Sequence, residues 1–179
     1  MQQLTSISNL IYRAKSGDSK ALKAIYEQYA LEMLTTSFRI TNNRQDAEDI
    51  IQDSFLKAFQ SLNGLQDAEK FKYWLKRIVI NNSLQKIRKH IHWEPVDTER
   101  FEDYAEEGNW YEGISMDQIQ GAIQLLPDGC RQIFSLYLLE DYKHREIADL
   151  LGISISTSKS QYRYALSLMK KYLTKNRVG

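Results

Sequence analysis

Cysteine is all but missing from this sequence of 179 residues: Cys130 stands alone. One thiol excludes an internal disulfide framework and fits a reducing compartment, so the cytoplasm is the expected location. Proline (2) and glycine (8) are scarce as well, and apolar–polar alternation of the strand type is rare. That argues against a sandwich or barrel, whose many short strands need turn residues, and points to helices. No apolar run approaches the roughly 20 residues that a membrane helix needs. The start, Met1-Gln2-Gln3-Leu4, lacks the basic-then-apolar form of a signal peptide. Only three histidines occur. His90 and His92 flank Ile91 and so miss the i, i+4 spacing that puts two ligands on one helix face. Cys130 has no His or Cys near it in sequence. No catalytic residue, metal, cofactor or small-molecule substrate is therefore expected.

What is present is enough for a core and unevenly charged. Apolar residues make 42% and charged residues 26%, outside the range of a disordered tail. Residues 1–91 carry 14 bases against 9 acids, residues 92–118 one base (Arg100) against 9 acids, and residues 119–179 nine bases against 5 acids. Two basic blocks flank a strip of net charge −8. Acidic loops are common and solvated, but basic blocks on both sides favour a polyanionic partner. The reading is all-α, with two small helical domains joined by an acidic linker. The boundaries expected are 1–91, 92–115 for the linker, and 116–179 for a four-helix domain.

In the first block, Ile7, Leu10, Ile11 and Ala14 repeat at helical spacing up to Ser16-Gly17-Asp18. Asp18 or Ser19 caps a second helix, with Leu22, Ile25, Tyr26, Tyr29 and Met33 inside, broken at Thr41-Asn42-Asn43. A third helix runs from about Asp46 to Leu62, and Asn63-Gly64 marks a loop. A fourth spans about Lys70 to His90. The linker holds Pro95, Gly108 and Gly113 among its acids. Its aromatics (Trp93, Phe101, Tyr104, Trp110, Tyr111) point to docking on a partner or on the protein itself.

In the second block, Ala148, Gly152 and Ile155 have the spacing of a helix-turn-helix. The small Ala148 permits close approach and Gly152 supplies a positive-φ turn. Ile147, Leu150 and Leu151 face inward from the first helix. Ile155, Ser158, Tyr162, Ala165 and Met169 form the inner stripe of the second, which runs from Ser156 to about Leu173. Ser156, Lys159, Ser160, Arg163 and Tyr164 face outward. Hydroxyls with Lys and Arg at a helix start suit phosphate and base-edge contacts in a major groove. A plain two-helix hairpin shares the spacing, though not the basic face of small residues.

Two features of the first block exceed what a core requires. On helix three Ala47, Ile50, Ile51, Ser54, Phe55, Ala58, Phe59 and Leu62 form the inward stripe. Leu56 lies opposite, among Asp49, Gln52, Asp53 and Gln60. Exposed leucines are ordinary, yet an apolar centre in an acidic rim is also the form of a protein-docking face. Helix four holds Lys70, Lys72, Lys76, Arg77, Lys86, Arg88 and Lys89 and no acid between Lys70 and Lys89. One apolar stripe is Phe71, Trp74, Leu75 and Ile78; a second, nearly opposite, is Tyr73, Ile80, Leu84 and Ile87. Between them one edge carries Arg77, Asn81, Gln85 and Arg88 beside Trp74, and the other Lys72, Lys76, Ser83 and Lys86. Such edges fit either a helix packed on both sides or a single-strand platform, where bases stack and cations meet phosphates. Unpaired cations on one helix repel, which favours the platform.

Taken together, these residues resemble a sigma factor of the extracytoplasmic-function group, over nearly the whole chain. Asp46-Ala47-Glu48-Asp49-Ile50-Ile51-Gln52-Asp53-Ser54-Phe55-Leu56-Lys57-Ala58-Phe59 resembles that family's polymerase-binding helix. Phe71-Lys72-Tyr73-Trp74-Leu75-Lys76-Arg77-Ile78 with Asn81 and Arg88-Lys89 resembles its promoter-melting helix. Leu126-Pro127 through Ser160 resembles the domain that reads the upstream promoter element. The resemblance implies a protein inactive alone, whose partners are core RNA polymerase, promoter DNA and an anti-sigma factor. It implies polymerase binding by Asp49, Gln52, Asp53, Leu56 and Gln60. It implies minus-ten contacts by Ser61, Asn63, Trp74, Arg77, Asn81 and Arg88, within a region that includes the Ser61–Glu69 loop. Ser156, Thr157, Lys159, Ser160, Gln161, Arg163 and Tyr164 would meet the minus-thirty-five element. It also implies a linker threaded into a basic polymerase channel, where acidic residues mimic nucleic acid.

This sequence departs from the family at several points. Gln85 stands where an acid is frequent, Ser158 and Gln161 where Val and Arg are, and Tyr164 and Leu166 where two arginines are. Lys159, Ser160 and Arg163 then carry more of the expected contact. Competing readings are a self-sufficient helix-turn-helix repressor, which needs a dimer face and a palindromic site, and a helical adaptor, which leaves the basic edges unexplained.

Overall fold

The computed structural model describes residues 6–88, 93 and 113–175, and every regular element among them is helical. Contacts divide the chain into two compact units, Met1–Ile87 and Arg88–Gly179. The expected linker lies outside the described residues apart from Trp93 and residues 113–115.

In the first unit α1 (Ile7–Lys15), α2 (Ser19–Thr41), α3 (Arg44–Gln60) and α4 (Phe71–Ile87) follow the sequence punctuation closely. Asp18 is the cap of α2, accepting from the Lys20 and Ala21 backbone N–H groups at 2.9 and 3.3 Å. Its other oxygen takes Arg13 Nε at 2.8 Å, which ties the end of α1 to the start of α2. That hydrogen bond is the main reason its carboxyl is held below the usual range. Asn42 ends α2 in the left-handed region at φ 52, a conformation asparagine tolerates, and Asn43 caps α3. α2, α3 and α4 pack on one another, and α1 lies on α2. Ile25, Met33, Phe55, Phe71, Leu75 and Val79 form the centre of this core. Burying each such side chain contributes about 1.5–3 kcal/mol.

α4 corrects the picture of two opposed apolar stripes. Phe71 and Leu75 are buried near its start, and Val79, Ile80, Ser83 and Leu84 further on. At 100° per residue that is one buried face rotating along the helix. Tyr73 lies on the face that its neighbours cover only in the second half, and is 73% exposed.

In the second unit Ser115 and Gln118 form a capping box that starts α5 (Met116–Gln124). α6 (Asp128–Phe134) begins after Pro127 and continues into a π-helical turn, Ser135–Leu139. α7 (His144–Leu151) ends at Gly152, whose φ of 68 is the left-handed conformation that its place in the sequence predicts. α8 (Ile155–Lys175) packs against α5, α6 and α7. Its inner stripe runs through Ser158, Ala165, Met169 and Leu173, all buried. Ile155 does not belong to it, being 45% exposed. As the first residue of α8 it is preceded by the Gly152–Ser154 turn rather than by a helix that could cover it.

Candidate nucleic-acid and polymerase surfaces

α3 presents two unlike faces. Inward, Ala47, Ile50, Ile51, Ser54, Phe55 and Ala58 are buried, with Phe55 against Tyr26 at 4.7 Å between ring centroids and against Phe59 at 5.7 Å. Outward, Asp49, Gln52, Asp53, Leu56 and Gln60 are all exposed, Leu56 by 56%. The rings hold the register of α3, so the apolar Leu56 is displayed within a polar, acidic rim.

On α4, Trp74, Arg77 and Asn81 share one edge by their i, i+3 and i+4 spacing. Arg77 and Asn81 are exposed. Trp74 is half-buried, its ring tilted against Phe71 at 5.9 Å. Ser61 and Asn63 are exposed in the turn that follows α3. Arg88 is exposed but lies one residue beyond α4 and falls in the second unit. Within the first unit, the edge therefore runs on from Asn81 as far as Gln85, which is also exposed.

The cations of this helix are not all free, which corrects the expectation of an unneutralised basic helix. Glu32 of α2 accepts ion pairs from Lys72 and Lys76, with N···O distances of 3.0 and 3.3 Å. Asp46 of α3 takes Lys86 at 3.2 Å, and Asp67 takes Lys70 at 3.5 Å. Burial pushes the Glu32 carboxyl upward, but the hydrogen bonds from Lys72 and Lys76 outweigh it and the net shift is downward. Among the described residues, Arg77 has no carboxylate within ion-pair distance. The acids were invisible in the helix's own sequence because they reside on α2, on α3 and in the preceding loop.

The neighbouring asparagines have different tasks. Asn82 Nδ2 donates to Ser54 Oγ at 2.8 Å, and Asn82 Oδ1 accepts from Lys57 Nζ at 3.0 Å. Asn82 thus fastens α4 to α3, one hydroxyl of which is fully buried. Asn81 faces outward. Composition gives no means of telling the two amides apart; only the register of α4 against α3 does.

In the second unit the turn before α8 is rich in hydroxyl contacts. Ser154 Oγ accepts from the Thr157 backbone N–H at 2.9 Å and shares hydrogen bonds with Ser156 Oγ and Thr157 Oγ1 at 2.7 and 2.8 Å. Ser156, Lys159 and Arg163 are exposed, while Thr157, Ser160 and Tyr164 are half-buried. Gln161 must be removed from the residues that the resemblance places on the minus-thirty-five element. It is 2% exposed, and its Oε1 accepts from Cys130 Sγ of α6 at 3.0 Å. The reason is helical phase: Gln161 lies three residues after Ser158 and four before Ala165, both fully buried.

His144, the third histidine, serves this packing. Its Nδ1 and Ser158 Oγ share a hydrogen bond of 2.9 Å. Burial, and then the positive charge of Lys159, hold its pKa below the ordinary value of 6.5. The folded unit thus binds fewer protons here than the unfolded chain. Stability contributed by a neutral His144 is fully present above about pH 6.5 and falls as pH drops through the range below it. Urea midpoints between pH 7.5 and 5.5 should decline with the wild-type chain, and His144→Asn, which has no titrating ring, should flatten that decline. Equal slopes for the two would assign the loss to other groups.

Among the described residues no three His, Cys, Asp or Glu side chains converge as a metal site, and no helix is long and apolar enough to cross a membrane.

Comparison with known proteins follows the same division. The Sigma-70 region 2 model matches residues 25–91 and the Sigma-70, region 4 model matches residues 116–169. The chain is 28% identical to the ECF RNA polymerase sigma factor SigW of Bacillus subtilis, across 93% of this chain and 96% of that protein. It is 30% identical to the RNA polymerase sigma factor SigV of the same organism, across 78% and 82%. Its fold is similar to that of the sigma factor RpoE, solved with the anti-sigma factor NepR from Bartonella quintana, at TM-score 0.53 and 20% identity, covering 87% and 98% of the two chains. CnrH, solved with the cytosolic domain of CnrY, gives TM-score 0.52 and 19% identity, covering 93% and 96%.

Proposed function

The chain belongs to the sigma-70 family of RNA polymerase sigma factors, in its extracytoplasmic-function group, and from that membership we propose how its surfaces divide the work of initiation. The outward face of α3, centred on Leu56, docks on core polymerase. α8 enters the major groove of the minus-thirty-five element with Lys159 and Arg163. The α4 edge of Trp74, Arg77 and Asn81, with Ser61 and Asn63 beyond the end of α3, receives the unpaired minus-ten strand. Arg88 adds a cation just beyond α4. The protein forms no bond itself; phosphodiester chemistry belongs to polymerase, in the cytoplasm. The acidic linker at 92–115 occupies a basic channel of polymerase in place of nucleic acid. An anti-sigma factor holds the protein inactive, a reading supported by the complex of its structural neighbour RpoE with the anti-sigma factor NepR.

The observation that carries this reading is the exposure pattern. The apolar Leu56, the amide Asn81 and the cations Arg77, Lys159 and Arg163 all stand outward on helices whose opposite faces are buried. Stacking surface and cations offset the few kcal/mol that unpairing a base step costs. The decisive experiment is in vitro transcription from a genomic fragment library with and without core polymerase. Transcripts from discrete promoters should require both proteins. A free protein that binds a palindromic site without polymerase and starts no transcript would be a repressor instead.

The same assay separates the two cations of α8. Losing a base contact costs about 1–3 kcal/mol at one position, whereas losing a phosphate contact weakens all sequences alike. Arg163→Ala should relax preference in the upstream element, and Lys159→Ala should lower output evenly. Equal use of all upstream sequences by the wild type would remove the basis of both assignments.

A further inference from the structure

The angle between α7 and α8 is fixed at two places. One is the turn: the Gly152 N–H and the Ile153 N–H both donate to the Ala148 carbonyl, Ile153 at 3.1 Å. The other is at the far end of α7. His144 is its first residue, seven positions before Leu151, or about 10 Å along the axis. There Nδ1 shares the 2.9 Å hydrogen bond with Ser158 Oγ, and Ser158 is 0% exposed. The imidazole is held on two further sides. It stacks on Tyr137 of the π-helical turn at 4.3 Å and 15°, and Tyr162 of α8 meets it edge-on at 5.6 Å and 66°. Tyr137 and Tyr162 are themselves in contact at 4.6 Å. Tyr137 lies outside α8, so its stacking holds the ring back from following α8 if α8 turns.

Leverage gives this bond its effect. A rotation of about 10° about the turn displaces a group roughly 10 Å away by nearly 2 Å. That takes a hydrogen bond from 2.9 Å beyond useful length. Ser158 sits directly before Lys159 and five residues before Arg163, about 100° and 140° round the same helix from them. Contacts to base edges need two donors placed together, whereas contacts to phosphate tolerate shifts. A loosened α8 thus loses discrimination before it loses affinity.

Resting on the promoter-binding role proposed for α8, we infer that His144 is a positioning residue for promoter recognition: through Ser158 it fixes the angle at which Lys159 and Arg163 meet the groove. The Gln161–Cys130 contact, one turn further on, anchors the same face of α8 to α6. Ser158 occupies a position where an apolar residue would pack without direction, and its hydroxyl makes the seating directional.

The test uses the full chain with core polymerase. Transcription is compared between a cognate promoter and the same promoter with its upstream element substituted, and the ratio is the readout. Ser158→Ala removes one oxygen and His144→Phe keeps the stacking without the ring nitrogen. Each should lower the ratio by about three- to tenfold, the size of one hydrogen bond, with polymerase affinity unchanged. The double variant should be no worse than either single one, because both remove the same bond. His144→Asn, which places a polar atom where Nδ1 was, should recover most of the ratio; a role in stability alone would lower output from both promoters alike and leave the ratio unchanged. Wild-type ratios in Ser158→Ala, multiplying losses in the double variant, or no advantage of Asn over Phe would each overturn the inference. Should His144→Phe fail to fold, Ser158→Ala still decides, since its loss or retention of discrimination is read in a folded protein. A wild type that ignores the upstream element altogether overturns the promoter-binding role itself, and this inference with it.

Discussion

Leu56→Asp is expected to lower affinity for core polymerase at least tenfold while leaving the free protein folded. Leu56 is 56% exposed and points away from the Phe55–Tyr26 contact that seats α3. A substitution there costs the free protein within about 0.5 kcal/mol. In a docked state the balance is different. Covering a leucine fully is worth about 1.5–3 kcal/mol, part of which remains to be gained at this exposure. A carboxylate forced into the same apolar contact lacks a partner, and an unpaired polar group buried this way costs several kcal/mol more. Asp49 and Asp53 lie seven and three residues before it on the same face, so the new charge also meets like charges. Titration of fluorescently labelled protein with core polymerase measures the loss, and circular-dichroism melting of the free variant measures the fold. Unchanged affinity would take Leu56 out of the docking face. A large fall in melting temperature would make it part of the core.

Much of the architecture follows from local signals that act within a few residues. Ser16-Gly17-Asp18 separates α1 from α2 because Asp18 caps the second helix. Gly152 ends α7 because its left-handed backbone suits no bulky residue. The helix-turn-helix and the outward placement of Leu56, Lys159 and Arg163 follow from period alone. What period could not supply is the identity of partners on other helices. The cations of α4 looked unpaired because Glu32 and Asp46 lie 40 positions away, and the resemblance put Gln161 on the DNA side without sight of Cys130, 31 residues before it. Both errors have one cause. A polar side chain on a helix is read as solvated unless its partner is known, and such partners come from tertiary packing. Tyr73 fails for the converse reason: the buried face of α4 rotates, so one angular stripe is covered at one end of the helix and open at the other.

Asn81→Ala should bind polymerase and upstream DNA normally yet lose open complex on duplex promoter. The two adjacent amides make this a controlled comparison. Asn82 has its amide committed to Ser54 and Lys57, so the task of joining α4 to α3 is taken. Asn81 is exposed on the edge with Trp74 and Arg77. An amide donates and accepts toward one base edge, a pairing worth about 1–3 kcal/mol of discrimination. Lost open complex should therefore be about five- to a hundredfold, with blurred preference at the minus-ten base. Asn82→Ala should act in the other order. It leaves the Ser54 hydroxyl and the Lys57 ammonium without that partner, costing about 1–3 kcal/mol of fold stability, and opening suffers only as the fold does. Permanganate reactivity of promoter thymines, at equal polymerase occupancy, separates the two variants. A premelted bubble template should restore part of the Asn81→Ala activity, because the cost of unpairing, a few kcal/mol, has then been met in advance. The bubble should do nothing for Asn82→Ala beyond what stability dictates. If Asn81→Ala matches the wild type in both reactivity and base preference, opening is carried elsewhere. The Ser61–Glu69 turn, where Ser61 and Asn63 stand exposed, is then the segment to substitute next.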